Sequence, residues 1–282
     1  MARSFHLHLV SDSTGETVSS VARAAMVQFE GVQPEEHLWS LVRTKGQIEK
    51  VIAALDTFPG IVMFTLVDHQ LREQLRQACG KRGLPCIPVL GHVVRELSNY
   101  LQMEASGAPG QQYEMGEDYF ARIDAINFAL EHDDGQATWE LEQADIVLVG
   151  VSRTSKSPTC VYLAYRGFKA ANVPYVPGCP LPENLTKLKQ PLVVGLTISG
   201  DRLIDIRTSR LMSLQQETNT DYVNEEHVKN EIEEAKKFFR TQGWPVIDVT
   251  RRSVEETATL MIQYRHRQIE KRHAAAASEG TT

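Results

Sequence analysis

No stretch of this sequence is apolar for long enough to cross a membrane as a helix. The longest runs, such as IVMFTLV at 61–67, stop far short of the roughly 20 residues a span needs. The opening MARSFHLHLV has no apolar core of a secretory leader. Basic runs are missing too. The formal net charge is −6, and nothing resembles the clustered lysine and arginine that neutralise a phosphate backbone, which argues against a nucleic-acid partner. Cysteine is scarce: Cys79, Cys86, Cys160 and Cys179 form neither a C-x-x-C pair nor a closely spaced ligand cluster. These absences predict a soluble, cytoplasmic protein with reduced thiols and no membrane partner.

What is present is a globular composition, 42% hydrophobic and 23% charged over 282 residues, enough for one large or two ordinary domains. Phe5, Leu7 and Leu9 alternate with His6 and His8, a strand period. Further strands are expected at 37–42, 60–65 and 85–89, with helices to about 29 and near 47–55 and 67–82. That alternation predicts an α/β fold whose N-terminal domain, 1–104, is an open, mostly parallel sheet. Gly, Ser, Pro and Gln without periodicity mark 105–118 as a linker. A second α/β domain, 119–272, is expected to begin with a helix at 119–131 that carries Phe120, Ile123, Ile126 and Leu130 on one side. Strands follow at 145–149, 174–176, 193–197 and 245–249, then a last helix from Ser253 to about Arg272 and a flexible tail, 273–282.

The apolar run ADIVLVG leads into GVSRTSKSPT, Gly150 to Thr159. A P-loop reads G-x-x-x-x-G-K-[ST], and Gly150, Lys156 and Ser157 stand at that spacing, with Ser155 in place of the second glycine. The chemistry requires backbone N–H groups curled around oxyanions, a lysine to offset charge and a hydroxyl for the magnesium shell. Gly150, Val151, Ser152, Arg153, Thr154, Ser155, Lys156 and Ser157 are therefore the expected nucleotide-binding residues. A following helix with Val161, Ala164, Tyr165 and Phe168 at helical spacing fits the context. A strand-to-helix turn capped by Ser155 or Ser157 is the plainer alternative.

Three other stretches carry chemistry. In EHDDG, Glu131 to Gly135, acidic residues crowd a helix C-terminus whose dipole favours cations. Asp133 and Asp134 are candidates for magnesium ligation or base catalysis, with Asp133 and Ser157 as metal ligands and His132 as proton carrier. An acidic turn stopped by Gly135 would leave the same pattern. SDSTGET, Ser11 to Thr17, follows the first strand, where open sheets bind ligands, so Ser11, Asp12, Ser13 and Thr14 are candidate phosphate or substrate contacts. Ser13 with Glu16 also reads as a capping box. Arg207 and Arg210, three apart on one helix, are a possible phosphoryl clamp or a solvated pair. Ser253 with Glu256 is a second capping box.

SDSTGET, HDDG, GVSRTSKSPT, GLTISGDRLIDIRTSRL and VIDVTRRSVEETA, in this order from Ser11 to about Ile262, resemble the regulatory proteins of pyruvate, phosphate dikinase. The resemblance implies a P-loop kinase-like C-terminal domain and a bifunctional serine/threonine kinase and phosphorylase. ADP would phosphorylate a threonine of the dikinase; inorganic phosphate would remove the group, releasing pyrophosphate; Mg2+ would assist. The dikinase is then the protein partner, and a homodimer is compatible. The near relative that regulates phosphoenolpyruvate synthase tends to carry glycine at the place of Ser155 and a shorter SDGT loop. Two departures stand out. Ser157 occupies a usual threonine position, and Ser199 and Gly200 replace a usual Pro-Glu. A P-loop kinase of a small molecule and a non-catalytic ADP sensor share the loop and stay open at this stage.

Overall fold

The computed structural model describes residues 3–107, 117–216 and 220–279. The chain divides into two compact units, Met1–Glu114 and Met115–Thr282. Of the expected linker, 108–116 lie outside the described residues.

The first unit alternates β1 (Arg3–Val10), α1 (Glu16–Met26), β2 (Val32–Trp39), α2 (Lys45–Thr57), β3 (Gly60–Phe64), α3 (His69–Lys81), β4 (Cys86–Pro88) and α4 (Gly91–Leu101). Its four strands are parallel in the order β2-β1-β3-β4. Because side chains alternate across a strand, β1 feeds two cores. Leu7 and Leu9 pack with Val18 and Ala22 of α1, while Val10 joins Ile48, Val51 and Leu55 of α2 and Leu71 and Leu75 of α3. Side-chain caps fix two helix starts: Thr44 and Gln47 form a capping box before α2, and the Asp68 carboxylate accepts from Leu71 N before α3.

The second unit runs α5 (Glu117–Glu131), β5 (Ile146–Gly150), α6 (Lys156–Tyr165), β6 (Ala170–Pro174), β7 (Leu192–Thr197), α7 (Gly200–Ser213), α8 (Glu225–Thr241), β8 (Val246–Asp248) and α9 (Val254–Glu279). Its strands are again parallel, in the order β6-β5-β7-β8. All of β5 and β7 is buried, as apolar central strands covered on both faces must be. In each sheet the chain leaves the first strand toward one side and later continues on the other. The crevice between β1 and β3, and that between β5 and β7, is thus where such sheets hold ligands.

The alternating α/β reading holds, with shifts at the edges. β2 lies at 32–39 rather than 37–42, because an edge strand tolerates the Pro34, Glu35 and Glu36 that read as loop. β6 occupies 170–174 rather than 174–176. The apolar side expected for α5 is not its buried one: Ala125, Phe128 and Ala129 are buried, whereas Phe120, Ile123 and Leu130 are exposed. The small side chains allow α5 to lie close to α6 and β6. On α6, Val161 and Tyr165 are exposed, and Cys160, Leu163 and Ala164 make the contact. Helical backbone continues past Arg272 to Glu279. Among the described residues, no helix is long and apolar enough to cross a membrane. All four cysteines are free.

Candidate functional site

The site grows from the end of β5. A Cβ on Gly150 would lie 2.9 Å from Thr154 Oγ1 and 3.0 Å from Leu196 O, so only glycine allows the chain to turn this tightly against β7. The loop then folds on itself. Thr154 Oγ1 donates to Val151 O at 2.9 Å, and Arg153 and Ser155 adopt left-handed φ of 73° and 59°. Ser155 therefore occupies a conformation that glycine favours, at a cost of about 1–2 kcal/mol for a residue with a Cβ. It caps α6 without a side-chain bond. The first intrahelical bond runs from Thr159 N to Ser155 O, so the N–H groups of Lys156 and Ser157 precede it, at the positive end of the helix dipole. Pro158 falls in this first turn, where its missing N–H costs nothing.

Lys156 is 6% exposed and donates Nζ to Val151 O at 3.0 Å. Burial pushes its ammonium down from 10.5 to about 8, although Asp134, Cys160, Asp133 and Glu231 pull the other way. A buried cation whose only hydrogen-bond partner among the described residues is a neutral carbonyl remains available to an anion.

Facing the start of α6 is a one-turn 3-10 helix, Asp133–Gly135, in which Asp134 has φ 50°. Asp133 Oδ1 accepts from Ser157 Oγ at 2.8 Å and from Asn172 Nδ2 at 2.6 Å; Asp134 Oδ1 lies 3.2 Å from the same amide nitrogen, and Ser157 Oγ 3.0 Å from it. An amide has two hydrogens for these three acceptors, so the cluster has surplus acceptor capacity. Asn172 is buried and its Oδ1 has no partner among the described residues, which leaves a polar atom for a ligand or its water shell. A hydroxyl and a carboxylate in contact, with a second carboxylate beside them, fit an octahedral oxygen-liganded cation that keeps several waters. Asn172 escapes a motif search, because it lies outside the strand expected at 174–176.

The kinase/pyrophosphorylase family profile matches residues 7–262. The chain belongs to that family. Three relatives are each named as a pyruvate, phosphate dikinase regulatory protein. That of Paramagnetospirillum magneticum is 57% identical over 270 residues, covering 96% of this chain and 87% of its own. That of Caulobacter vibrioides is 51% identical, covering 92% of this chain and 82% of its own. That of Ehrlichia chaffeensis is 48% identical, covering 92% and 95%.

Of the remaining sequence candidates in this kinase/pyrophosphorylase chain, two lie beside the loop and the acidic turn, one is exposed on α7, and the rest are in the first unit. The His132 ring is buried, stacks on Phe128 at 3.7 Å and pairs Nδ1 with Phe128 O, while Nε2 lies 3.7 Å from Glu140. Its carbonyl accepts from Asn172 N, so it pins the acidic turn to β6. Arg207 is buried, with both terminal nitrogens on Glu231 at 2.8 and 2.9 Å and further bonds to Tyr222 O and Ser152 O. Its bond to Ser152 O ties it to the loop. Arg210 is exposed, because the burial boundary of α7 falls between the two. Ser11, Asp12 and Ser13 are buried in the first unit. Ser11 Oγ accepts from Ser13 N and Thr65 Oγ1, and Asp12 Oδ2 accepts from Val67 N. Burial raises the Asp12 carboxyl above its ordinary range. The Ser13–Glu16 capping box does not form: Gly15, at φ 88°, caps α1 and Ser13 lies too early. Thr14 Oγ1 instead accepts from Glu16 N. The Ser253–Glu256 box is present in both directions.

Proposed function

We propose that this protein regulates pyruvate, phosphate dikinase by transferring the β-phosphoryl group of ADP to a target threonine and by removing it again with inorganic phosphate. The observation that carries this reading is the contact of Ser157 with Asp133 beside Lys156, at the start of α6. The relatives' names supply the target.

In the kinase direction the threonine oxygen attacks the β-phosphorus, the bond to the bridging oxygen breaks, and AMP departs with that oxygen. In the other direction a phosphate oxygen attacks phosphothreonine, the bond to threonine breaks, and pyrophosphate forms. A phosphoryl group lies between a threonine oxygen and another phosphate's oxygen in both cases, so one set of groups serves both. The N–H groups of Lys156 and Ser157 hold the non-transferred phosphate, and Lys156 exchanges Val151 O for it. Ser157 and Asp133 would hold Mg2+, which supplies charge neutralisation across the phosphates. Asp134, with the longer contact to Asn172, takes the threonine proton in the kinase direction; in the other direction it takes the proton of the attacking phosphate and passes it to the leaving threonine oxygen.

The test is to mix the protein with the dikinase, ADP and Mg2+ and locate the transferred group by mass spectrometry. Phosphothreonine on the dikinase is expected. Transfer only to phosphoenolpyruvate synthase or to a small molecule would refute the target, and ADP binding without any transfer would leave a sensor.

A further inference from the structure

The first unit contains a cluster of three possible metal ligands. His6 on β1 and Glu35 and His37 on β2 project from one face of paired parallel strands, where His6 stands opposite Glu35 in register. His6 Nδ1 lies 3.1 Å from His37 Nε2 and 3.5 Å from Glu35 Oε2, and the three ligand atoms all fall within 4.8 Å of one another. Two atoms about 2.1 Å from one tetrahedral zinc ion are about 3.4 Å apart, so the cluster is already near ligating distances. We propose that His6, His37 and Glu35 form a zinc site that ties the edge strand β2 to β1.

The surroundings hold the rings in place. Phe58 lies against His6 at 5.2 Å and His37 at 5.1 Å, and His8 stacks on His37 at 4.7 Å. His8 itself is not a ligand: Nε2 donates to Phe58 O, which leaves Nδ1 to accept from Trp39 Nε1. Its role is to fix the His37 ring, as groups behind metal ligands commonly do. Two imidazoles and one carboxylate select zinc or a neighbouring first-row ion over Mg2+, which prefers oxygen. The side chain of Glu35 is 65% exposed, so water reaches the open fourth position.

The experiment uses the full chain without a histidine tag, stripped by a chelator and titrated with Zn2+ against a chromophoric competitor. One equivalent per chain is expected, retained in excess Mg2+. His6→Gln and His37→Gln should each weaken binding by at least about 10-fold. Glu35→Gln, at an exposed position that tolerates the change, should weaken it too. Zn2+ should raise the melting temperature of the parent but not of Glu35→Gln. His92→Gln, at an exposed histidine of α4, should bind as the parent does. The proposal is overturned by failure to bind one equivalent, by equal affinity in the three ligand variants, or by zinc that Asp133→Asn removes and His37→Gln does not.

Discussion

Both units place a polar loop after the first strand of a parallel sheet with the same strand order, and the two loops spend their polar groups differently. After β1, Ser11 and Asp12 are consumed internally, by Ser13 N, Thr65 Oγ1 and Val67 N. Around the loop after β5, Lys156 is buried against a neutral carbonyl, Ser157 shares the Asn172 amide with Asp133 and Asp134 of the preceding turn, and Asn172 Oδ1 on β6 has no partner among the described residues. Topology supplies a crevice in both places. Chemistry belongs where desolvated groups remain unsatisfied, since such groups gain most from a ligand.

The largest effect that would sharpen this contrast is at Lys156. Lys156→Met should lower the rate in both directions by about 10²–10³-fold or more, the usual loss for a charge-stabilising donor. It should also stabilise the fold. The folded value of about 8 lies below 10.5, so burying the charged form costs stability in full below pH 8, and the cost fades as pH rises toward 10.5. Allowing for the lost bond to Val151 O, melts at neutral pH should show a gain of about 2 kcal/mol. A destabilised variant, or one that keeps phosphorylase activity, would break the comparison.

Next come the acidic residues. Asp134→Asn should cost about 10²–10⁴-fold in both directions, as loss of a positioned base does. Asp133→Asn should instead raise the Mg2+ concentration needed for half-maximal rate. Full rates with parental Mg2+ dependence in both variants would reduce the turn to a helix end.

The smallest effect on rate is expected in the first unit. Ser11→Ala strips an acceptor from Ser13 N and Thr65 Oγ1 and should cost about 1–3 kcal/mol of stability. Transfer rates at a temperature where the variant is folded should match the parent. A loss of rate without loss of stability would move Ser11 to Thr14 into the substrate site and erase the contrast between the loops.

Much of the second unit's candidate site was legible in the sequence. Gly150, Lys156 and Ser157 stand at a phosphate-binding spacing after an apolar strand, and acids at a helix C-terminus break a local rule. Those signals led to Lys156, Ser157 and Asp133, which the fold brings together. His132 was named for its residue type as a proton carrier; the packing of its ring against Phe128 is a tertiary fact. Asn172 was hidden for the converse reason, since its role depends on β6 lying beside β5. The His6, Glu35 and His37 cluster is equally silent in sequence. Its residues are brought together by strand register, and no local spacing encodes that.

The central claim is that one loop serves both reactions, with inorganic phosphate taking the place of the AMP phosphate. Two phosphate chains cannot share the N–H groups of Lys156 and Ser157 and one ammonium without strong repulsion. Initial rates of threonine phosphorylation at several fixed phosphate concentrations test this directly. Phosphate should raise the apparent KM for ADP and leave the maximum rate unchanged. A falling maximum rate with unchanged apparent affinity for ADP would mean two separate sites and contradict the shared loop.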